Sequence, residues 1–281
     1  MAEGLASRAL AFALKVRGRL FARTIGEPMF TNDDPAAKER FGPSELAQVF
    51  RAKQGNQVHK WHHYLEIYER HLGHLRGTEF KMLEIGVFRG GSLELWREYF
   101  GEKAIIYGID IDPRCAAYDG KSGQVRIGSQ DDPAFLARVV EEMGGVDVVI
   151  DDGSHDSRHI TASFNVLFPR LSEGGIYIAE DLHCCYWPSF SGGYRWPWSF
   201  ISVAKGLVDD MHHWYHRRGE RNRAAAGHLK ALHFYDSMVV MEKERVARPI
   251  NTLRPDDAAP GKAPAETDNE TRMPETAPAA G

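Results

Sequence analysis

Carboxylates follow two short apolar runs of the sequence. Asp152 stands just after Val146–Ile150, and Glu180 and Asp181 come directly after Ile176–Ala179. Short β-branched runs of this kind are typical of strands buried on both faces. Two parallel strands joined by one helix are usually neighbours, and ligands of open α/β sheets bind at the carboxyl ends of the strands. We therefore expect Asp152, Glu180 and Asp181 to converge at one edge of a sheet.

Three carboxylates at one edge repel one another unless a cation lies between them. A hard divalent metal ion, which prefers oxygen ligands, is the simplest occupant. Asp152, Glu180 and Asp181 are thus the predicted metal ligands, and His155 should lie beside them because it shares the loop of Asp152.

A glycine-rich turn predicts a second binding site at the same edge. A strand that contains Glu84 runs into Gly86, Gly90 and Ser92, and Asp110 ends the next strand about 20 residues on. This spacing is how an α/β sheet holds a nucleoside ribose. The alternative is a turn of purely structural importance, which the glycines alone would allow.

The pattern of the turn argues against a dinucleotide, because it lacks the G-x-G-x-x-G spacing. Glu84 would suit a cofactor with a cationic amino group better than one with a pyrophosphate. A polar turn at Gln130 and Asp131 is placed to meet an adenine edge. The predicted cofactor-binding residues are Tyr64, Glu84, Gly86, Arg89, Gly90, Ser92, Asp110, Asp112, Gln130, Asp131 and Asp151.

Composition limits the remaining possibilities. The 281 residues carry a net charge of −4, which gives no basic field for nucleic acid, and there is no apolar run long enough to span a bilayer. Only three cysteines occur, so we expect a reducing, cytoplasmic location rather than a disulfide framework.

The organisation of the chain is predicted from its patterning. We expect a helical extension and connector over residues 1–56, a catalytic domain over 57–247 and a disordered tail over 248–281, which is rich in Pro, Ala and acidic residues. An amphipathic helix over residues 5–16 could dock on the body or a second subunit, or contact a membrane surface.

The aromatic-rich loop 183–200 could stack on an acceptor, plug the core or contact a subunit. A helix over 201–216 should expose His212 and His216.

These motifs resemble those of class I S-adenosylmethionine-dependent methyltransferases. More narrowly, residues 59–243 resemble the metal-dependent sugar O-methyltransferases of macrolide and aminocoumarin pathways, with which the cephalosporin-hydroxylase-like proteins are grouped. The resemblance rests on the five segments His63–Tyr68, Glu84–Ser92, Ile109-Asp110, Asp151–His155 and Gly174–His183. One departure is Val58-His59-Lys60, where members often have Thr-Asp-Lys.

The resemblance implies a Rossmann-like, doubly wound α/β fold with a mostly parallel sheet and a C-terminal antiparallel hairpin. It implies that Asp152, Glu180 and Asp181 bind Mg²⁺, that His155 is the general base, and that the protein is a homo-oligomer. We expect Mg²⁺-assisted O-methylation of a hydroxyl group of a sugar or glycosylated natural product, that is, of a small-molecule or glycan acceptor, with Asp152 and His155 as catalytic residues. The alternatives are a hydroxylase-like enzyme, a catechol-type methyltransferase and a non-catalytic nucleoside-binding scaffold.

Overall fold

A computed structural model describes residues 42–254 of the chain. The predicted helix over residues 5–16 and most of the predicted disordered tail lie outside the described residues. The proposed domain boundaries near residues 56 and 248 stay a prediction. None of the helices within 42–254 has the length and hydrophobicity needed to cross a bilayer.

Seven strands form one sheet in the order β3-β2-β1-β4-β5-β7-β6. The first five strands along the chain pair in parallel, whereas β7 pairs antiparallel with both β5 and β6. The predicted fold class, including the C-terminal hairpin, is confirmed. The strands are β1 (Lys81–Ile85), β2 (Ile105–Asp110), β3 (Gln124–Ile127), β4 (Val146–Asp151), β5 (Leu171–Ala179), β6 (Leu229–Tyr235) and β7 (Met238–Lys243).

Helices cover both faces of this sheet. Several begin where an acidic or hydroxyl side chain caps free backbone N–H groups. Ser44, Asp132 and Asp156 accept hydrogen bonds of this kind. The α-helices are α1 (Glu45–Ala52), α2 (His62–Leu72), α3 (Gly91–Phe100), α4 (Pro133–Met143), α5 (Ser157–Leu167) and α6 (Phe200–Met211).

The alternating faces of the strands build two apolar clusters, as a doubly wound sheet requires. One face, with Leu83 and Val149, packs against α4, α5 and α6. The other face, with Met82 and Val148, packs against α1, α2 and α3. Because helices pack on both faces, the strands are held in place, and the positions at which the loops leave their carboxyl ends are well defined.

Two element boundaries differ from the predictions. Strand β5 begins at Leu171 rather than Ile176, and it continues through Gly174, whose φ of 79° produces an irregular register with β4. Helix α6 ends at Met211 rather than residue 216. Nδ1 of His212 lies 2.7 Å from the carbonyl oxygen of Val208, and such a side-chain bond to a terminal carbonyl favours the end of a helix.

Candidate functional site

A cavity of about 560 Å³ opens at the carboxyl ends of β1, β2, β4 and β5. Its wall contains many of the polar residues that the sequence analysis selected. The predicted site residues that line it are Tyr64, Gly86, Ser92, Asp110, Gln130, Asp152, His155, Glu180 and Asp181. The structure does not bring the other six to this wall, namely Glu84, Arg89, Gly90, Asp112, Asp131 and Asp151.

Asp110 ties the glycine-rich turn to β2. Its Oδ2 accepts hydrogen bonds from the backbone N–H groups of Val87 and Phe88, at 3.0 and 2.9 Å. Its Oδ1 accepts one from the N–H of Asp112, at 2.9 Å. The carboxylate therefore fixes the shape of the turn while it lines the cavity, where the remaining lone pairs of its oxygens can accept further hydrogen bonds.

Gly86 lets this turn approach the loop of Asp152. Its φ is 99°, and a Cβ atom at this position would lie 2.1 Å from the backbone oxygen of Asp152. That contact is with backbone and not with a flexible side chain, so only glycine allows the two loops to pack this closely.

We predict that Gly86→Ala displaces the Asp152 loop and destabilises the protein. The strained φ alone costs about 1–2 kcal/mol, and the backbone clash adds to that cost. Urea unfolding measures the loss. Gly120→Ala is the matched control, because Gly120 also has a positive φ, of 73°, but has open space around the added Cβ. Equal losses in the two variants would contradict the importance of the close approach.

Asp151 belongs to a buried polar unit beneath the cavity. Its carboxylate accepts hydrogen bonds from Gln130 Nε2 (3.0 Å), from the Tyr177 hydroxyl (2.7 Å) and from Ser163 Oγ. Burial raises the pKa of Asp151, and these hydrogen bonds oppose that rise. Gln130 in turn accepts the N–H of Ser154 at 2.8 Å. Asp151 thus orients Gln130 and the loop after β4, and its expected contact with a cofactor stays a prediction.

Glu84 also points into the protein. It is fully buried, and its carboxylate accepts hydrogen bonds from Ser92 Oγ (2.6 Å) and Trp96 Nε1 (3.0 Å). Burial raises the pKa of Glu84 to about 7. Side chains of α3 thus bind this carboxylate, and the expected contact between Glu84 and the amino group of a cofactor stays a prediction.

Lys60 is the residue that the sequence analysis missed. Its Nζ lies 2.5 Å from Asp152 Oδ2, 2.9 Å from Glu180 Oε2 and 3.9 Å from Glu84 Oε1. Burial alone would lower the pKa of Lys60, but the neighbouring carboxylates outweigh it and the net pKa is raised, so the side chain is an ammonium ion. The cation between the acidic residues of this structure is a lysine, and the argument from repulsion alone does not require a metal ion.

A signal for Lys60 was present in the sequence. It is the only cationic residue within His59–Tyr64, a stretch otherwise made of polar aromatic rings. The same stretch begins α2, which carries Tyr64 to the acidic edge.

Asp181 is as exposed as Asp152, with 21% of its side chain accessible. Its Oδ1 accepts a hydrogen bond of 2.8 Å from the Tyr64 hydroxyl, and its Oδ2 lies 3.7 Å from Nε2 of His155. Burial, and then the charge of Asp181, raise the pKa of Tyr64, so Tyr64 remains a phenol donor. Asp181 and His155 lie in the loops after β5 and β4, and they have left-handed φ values of 53° and 55°.

The donor set fits a divalent cation beside Lys60. One ligand atom from each of Asp152, His155 and Asp181 can be chosen so that all three lie within 4.8 Å of one another. Lys60 contributes a single positive charge against several carboxylates, which leaves negative charge for a second cation. Glu180 is different, because its side chain is 1% exposed and Lys60 contacts both of its oxygens. Burial, and then the charge of Asp152, raise the pKa of Glu180.

Aromatic rings border the acidic edge. The centroid distances are 5.7 Å from Trp61 to His183, 5.1 Å from His183 to Trp187, and 5.9 Å from Trp187 to Phe190. The Phe190 ring also lies 6.4 Å from the ring of His155. These residues come from α2 and from loop 183–200, so the predicted aromatic loop does lie next to the acidic residues.

Comparison with known proteins identifies the domain. Residues 83–182 match the model of a family described as a methyltransferase domain. The chain is 36% identical, over 66% of its length and 51% of the relative, to the 8-demethyl-8-alpha-L-rhamnosyl tetracenomycin-C 2'-O-methyltransferase of Streptomyces olivaceus. It is 35% identical, over 66% of its length and 50% of the relative, to the demethylmacrocin O-methyltransferase of Streptomyces fradiae.

A solved methyltransferase structure is also similar to this chain. MycE methyltransferase from the mycinamycin biosynthetic pathway, in complex with Mg and SAH, superposes with a TM-score of 0.65 at 30% identity, over 72% of this chain and 55% of that one. The chain spans about half the length of these relatives. It has the fold of class I methyltransferases and is similar in sequence to sugar O-methyltransferases of glycosylated natural products.

Proposed function

We propose that the protein transfers a methyl group from S-adenosylmethionine to a hydroxyl group of a sugar or of another glycosylated small molecule, with Mg²⁺ as a cofactor. The observation that carries this proposal is one cavity lined by two chemically different sets of residues. One set is the glycine turn with Asp110 and Gln130, and the other is Asp152 with Asp181. The first suits a nucleoside, and the second suits a hydroxyl acceptor and a dication.

The cofactor half is supported by the turn and strand ends. Gly86 lets the turn pack closely against the loop of Asp152, and Asp110 lines the cavity at the position where α/β sheets bind a ribose. The complex of MycE with Mg and SAH is consistent with both cofactors. In this chain the residues best placed to hold Mg²⁺ are Asp152 and Asp181, with His155 next to them. A bound Mg²⁺ would lower the pKa of an acceptor hydroxyl and orient it.

The chain's own residues have distinct roles in this proposal. His155 accepts the proton of the acceptor hydroxyl, because its side chain is partly exposed and borders the cavity, with Nε2 3.7 Å from Asp181 Oδ2. The Tyr64 hydroxyl orients Asp181, and Lys60 holds Asp152 and Glu180 in place. The carboxylates that Lys60 neutralises can then stay close together at the cavity wall.

The acceptor is proposed from the relatives and from the aromatic border. Both relatives named above are O-methyltransferases, which does not favour the hydroxylase-like and scaffold alternatives. The rings of Trp61 and Trp187 offer flat apolar faces for a sugar or polyketide surface. We also propose a homo-oligomer, from the resemblance, and a cytoplasmic location, which suits a chain with only three cysteines, Cys115, Cys184 and Cys185.

The test is methyl transfer from labelled S-adenosylmethionine to glycosylated acceptors of the macrolide and tetracenomycin classes. We expect turnover with Mg²⁺, a loss of at least about 100-fold after treatment with EDTA, and recovery when Mg²⁺ is restored, because metal-assisted positioning supplies several kcal/mol to such a reaction. Binding of the cofactor is measured in parallel by calorimetry. Transfer that proceeds equally fast in EDTA would refute the role of the metal, and no transfer to any glycosylated acceptor would refute the proposed substrate class.

A further inference from the structure

A second group of metal-ligand side chains lies away from the cavity, where α2 packs against the C-terminal hairpin. His71, His233 and Glu242 can each offer one ligand atom such that all three atoms lie within 4.8 Å of one another. Nε2 of His233 is 2.7 Å from Glu242 Oε1, and Nδ1 of His71 is 3.9 Å from the same oxygen. None of the three lines the methyltransferase cavity.

The fold explains why these residues meet. In the β6–β7 pairing, Ala231 lies opposite Glu242 and His233 lies opposite Val240, so His233 and Glu242 are diagonal neighbours on one face of the sheet. Val240 belongs to the apolar cluster that α2 covers. His71, in the last turn of α2, therefore lies above the two strand residues, and its ring centroid is 4.7 Å from that of His233.

The surroundings of His71 favour a metal-binding tautomer. Its Nε2 lies 2.8 Å from the hydroxyl oxygen of Tyr235. When Nε2 carries the proton and donates it to this hydroxyl, Nδ1 keeps its lone pair facing Glu242. Metal-binding histidines commonly use their second ring nitrogen in this way. Burial, and then the neighbouring His233, lower the pKa of His71, which favours the neutral imidazole that a metal ion requires.

Access and donor type indicate the class of ion. The side chains of His233 and Glu242 are 37% and 30% exposed, so an ion can enter from solvent. The side chain of His71 is only 7% exposed, and it would anchor the ion to α2. Two imidazoles and one carboxylate suit a borderline divalent ion such as Zn²⁺, with one position left for water. Mg²⁺, which prefers oxygen ligands, does not suit this set.

We propose that His71, His233 and Glu242 form a zinc-class metal site that pins the β6–β7 hairpin to α2. The site is structural and does not depend on the proposed methyl transfer. Its relevance to the cavity is mechanical, because the turn of the same hairpin contacts the other end of α2. Nε2 of His63 lies 3.1 Å from the carbonyl oxygen of Asp236.

The test uses the full chain in excess Mg²⁺, which saturates the carboxylate-rich cavity site, and titrates Zn²⁺ by calorimetry and thermal unfolding. We expect His233→Gln to bind one Zn²⁺ fewer per chain than the unmodified protein. At a hundredfold excess of Zn²⁺ over its dissociation constant, Tm of the unmodified protein should rise by roughly 5–10 °C. His233→Gln should lose this rise. Tyr235→Phe should weaken binding by about 10–100-fold, as loss of an outer partner usually does.

His74→Gln is the matched control, because His74 is exposed, lies just after α2 and is outside the cluster. It should bind Zn²⁺ as the unmodified protein does. Co²⁺ provides a check that needs no variant, since bound cobalt with two histidines and one carboxylate gives visible absorption bands, which Zn²⁺ should displace. Equal Zn²⁺ stoichiometry and equal Tm shifts in His233→Gln and His74→Gln, or no cobalt bands, would overturn the proposal.

Discussion

Replacing Lys60 with methionine is expected to lower the free energy of unfolding by about 3–5 kcal/mol at neutral pH, as removal of one partner from a buried ion pair usually does. Methionine keeps the length and apolar character of the side chain but removes the ammonium ion that contacts Asp152 and Glu180. The buried carboxylates then lose their counter-ion, and they must take up protons or separate. Urea unfolding at several pH values measures both the loss and its partial recovery in acid.

Two further variants make the result specific to charge. Lys60→Met combined with Glu180→Gln should regain part of the lost stability, because the second change removes one of the unpaired charges. Lys230→Met is the control, since Lys230 pairs with Glu244 on the surface and exposed pairs contribute little. A Lys60→Met protein as stable as the unmodified one would show that the ammonium ion is not needed to hold the acidic residues together.

Magnesium gives a second readout of the same variant. Loss of Lys60 frees oxygens of Asp152 and Glu180 for a metal ion, so Mg²⁺ should raise Tm more in Lys60→Met than in the unmodified protein. An equal rise in both would indicate that the metal ion and Lys60 do not share Asp152.

Replacing His155 with glutamine is expected to reduce kcat for methyl transfer by about 10²–10⁴-fold, the usual contribution of a general base. Glutamine retains hydrogen-bonding capacity and similar size but does not take a proton from the acceptor. Binding of S-adenosylmethionine should change little, because the proposed cofactor-binding residues Gly86, Asp110 and Gln130 are unchanged. Single-turnover kinetics and calorimetry separate the two effects.

His212→Gln is the matched control for His155→Gln. His212 is exposed, lies at the end of α6 and contacts a backbone carbonyl outside the cavity. It should leave both kcat and cofactor binding unchanged. If His155→Gln turns over at the rate of His212→Gln, the proton must leave through another group, and the proposed role of His155 is wrong.

The sequence predicted the fold because its local signals agree with the tertiary structure. Apolar runs such as Val146–Ile150 are buried strands, and the carboxylates after them reach one edge because parallel strands must end on the same side. The bounds of β5 and α6 were less accurate. They depend on the positive φ of Gly174 and on the hydrogen bond between His212 and a terminal carbonyl. The hydrophobic periodicity of the sequence predicts neither feature.

The direction of individual side chains was harder to predict. Asp151 and Asp152 are adjacent, but alternation along a strand sends Asp151 into the interior and leaves Asp152 at the cavity. Glu84 lies in β1 and turns toward Trp96 for the same reason. Lys60 was missed because a lysine more than 90 positions before Asp152 has no local signal for a buried partner.

The bond between Tyr64 and the hairpin turn has a consequence for the order of folding. The Tyr64 hydroxyl lies 3.1 Å from the carbonyl oxygen of Ser237, across 173 positions of sequence, and its single proton can be donated either to this oxygen or to Asp181. Contacts between such distant segments form slowly, because a large loop must close first. A chain emerging from the ribosome can pair its parallel strands well before this closure. We therefore expect Tyr64 to reach its final position, and so to orient Asp181, late in refolding, after most of the native secondary structure has formed.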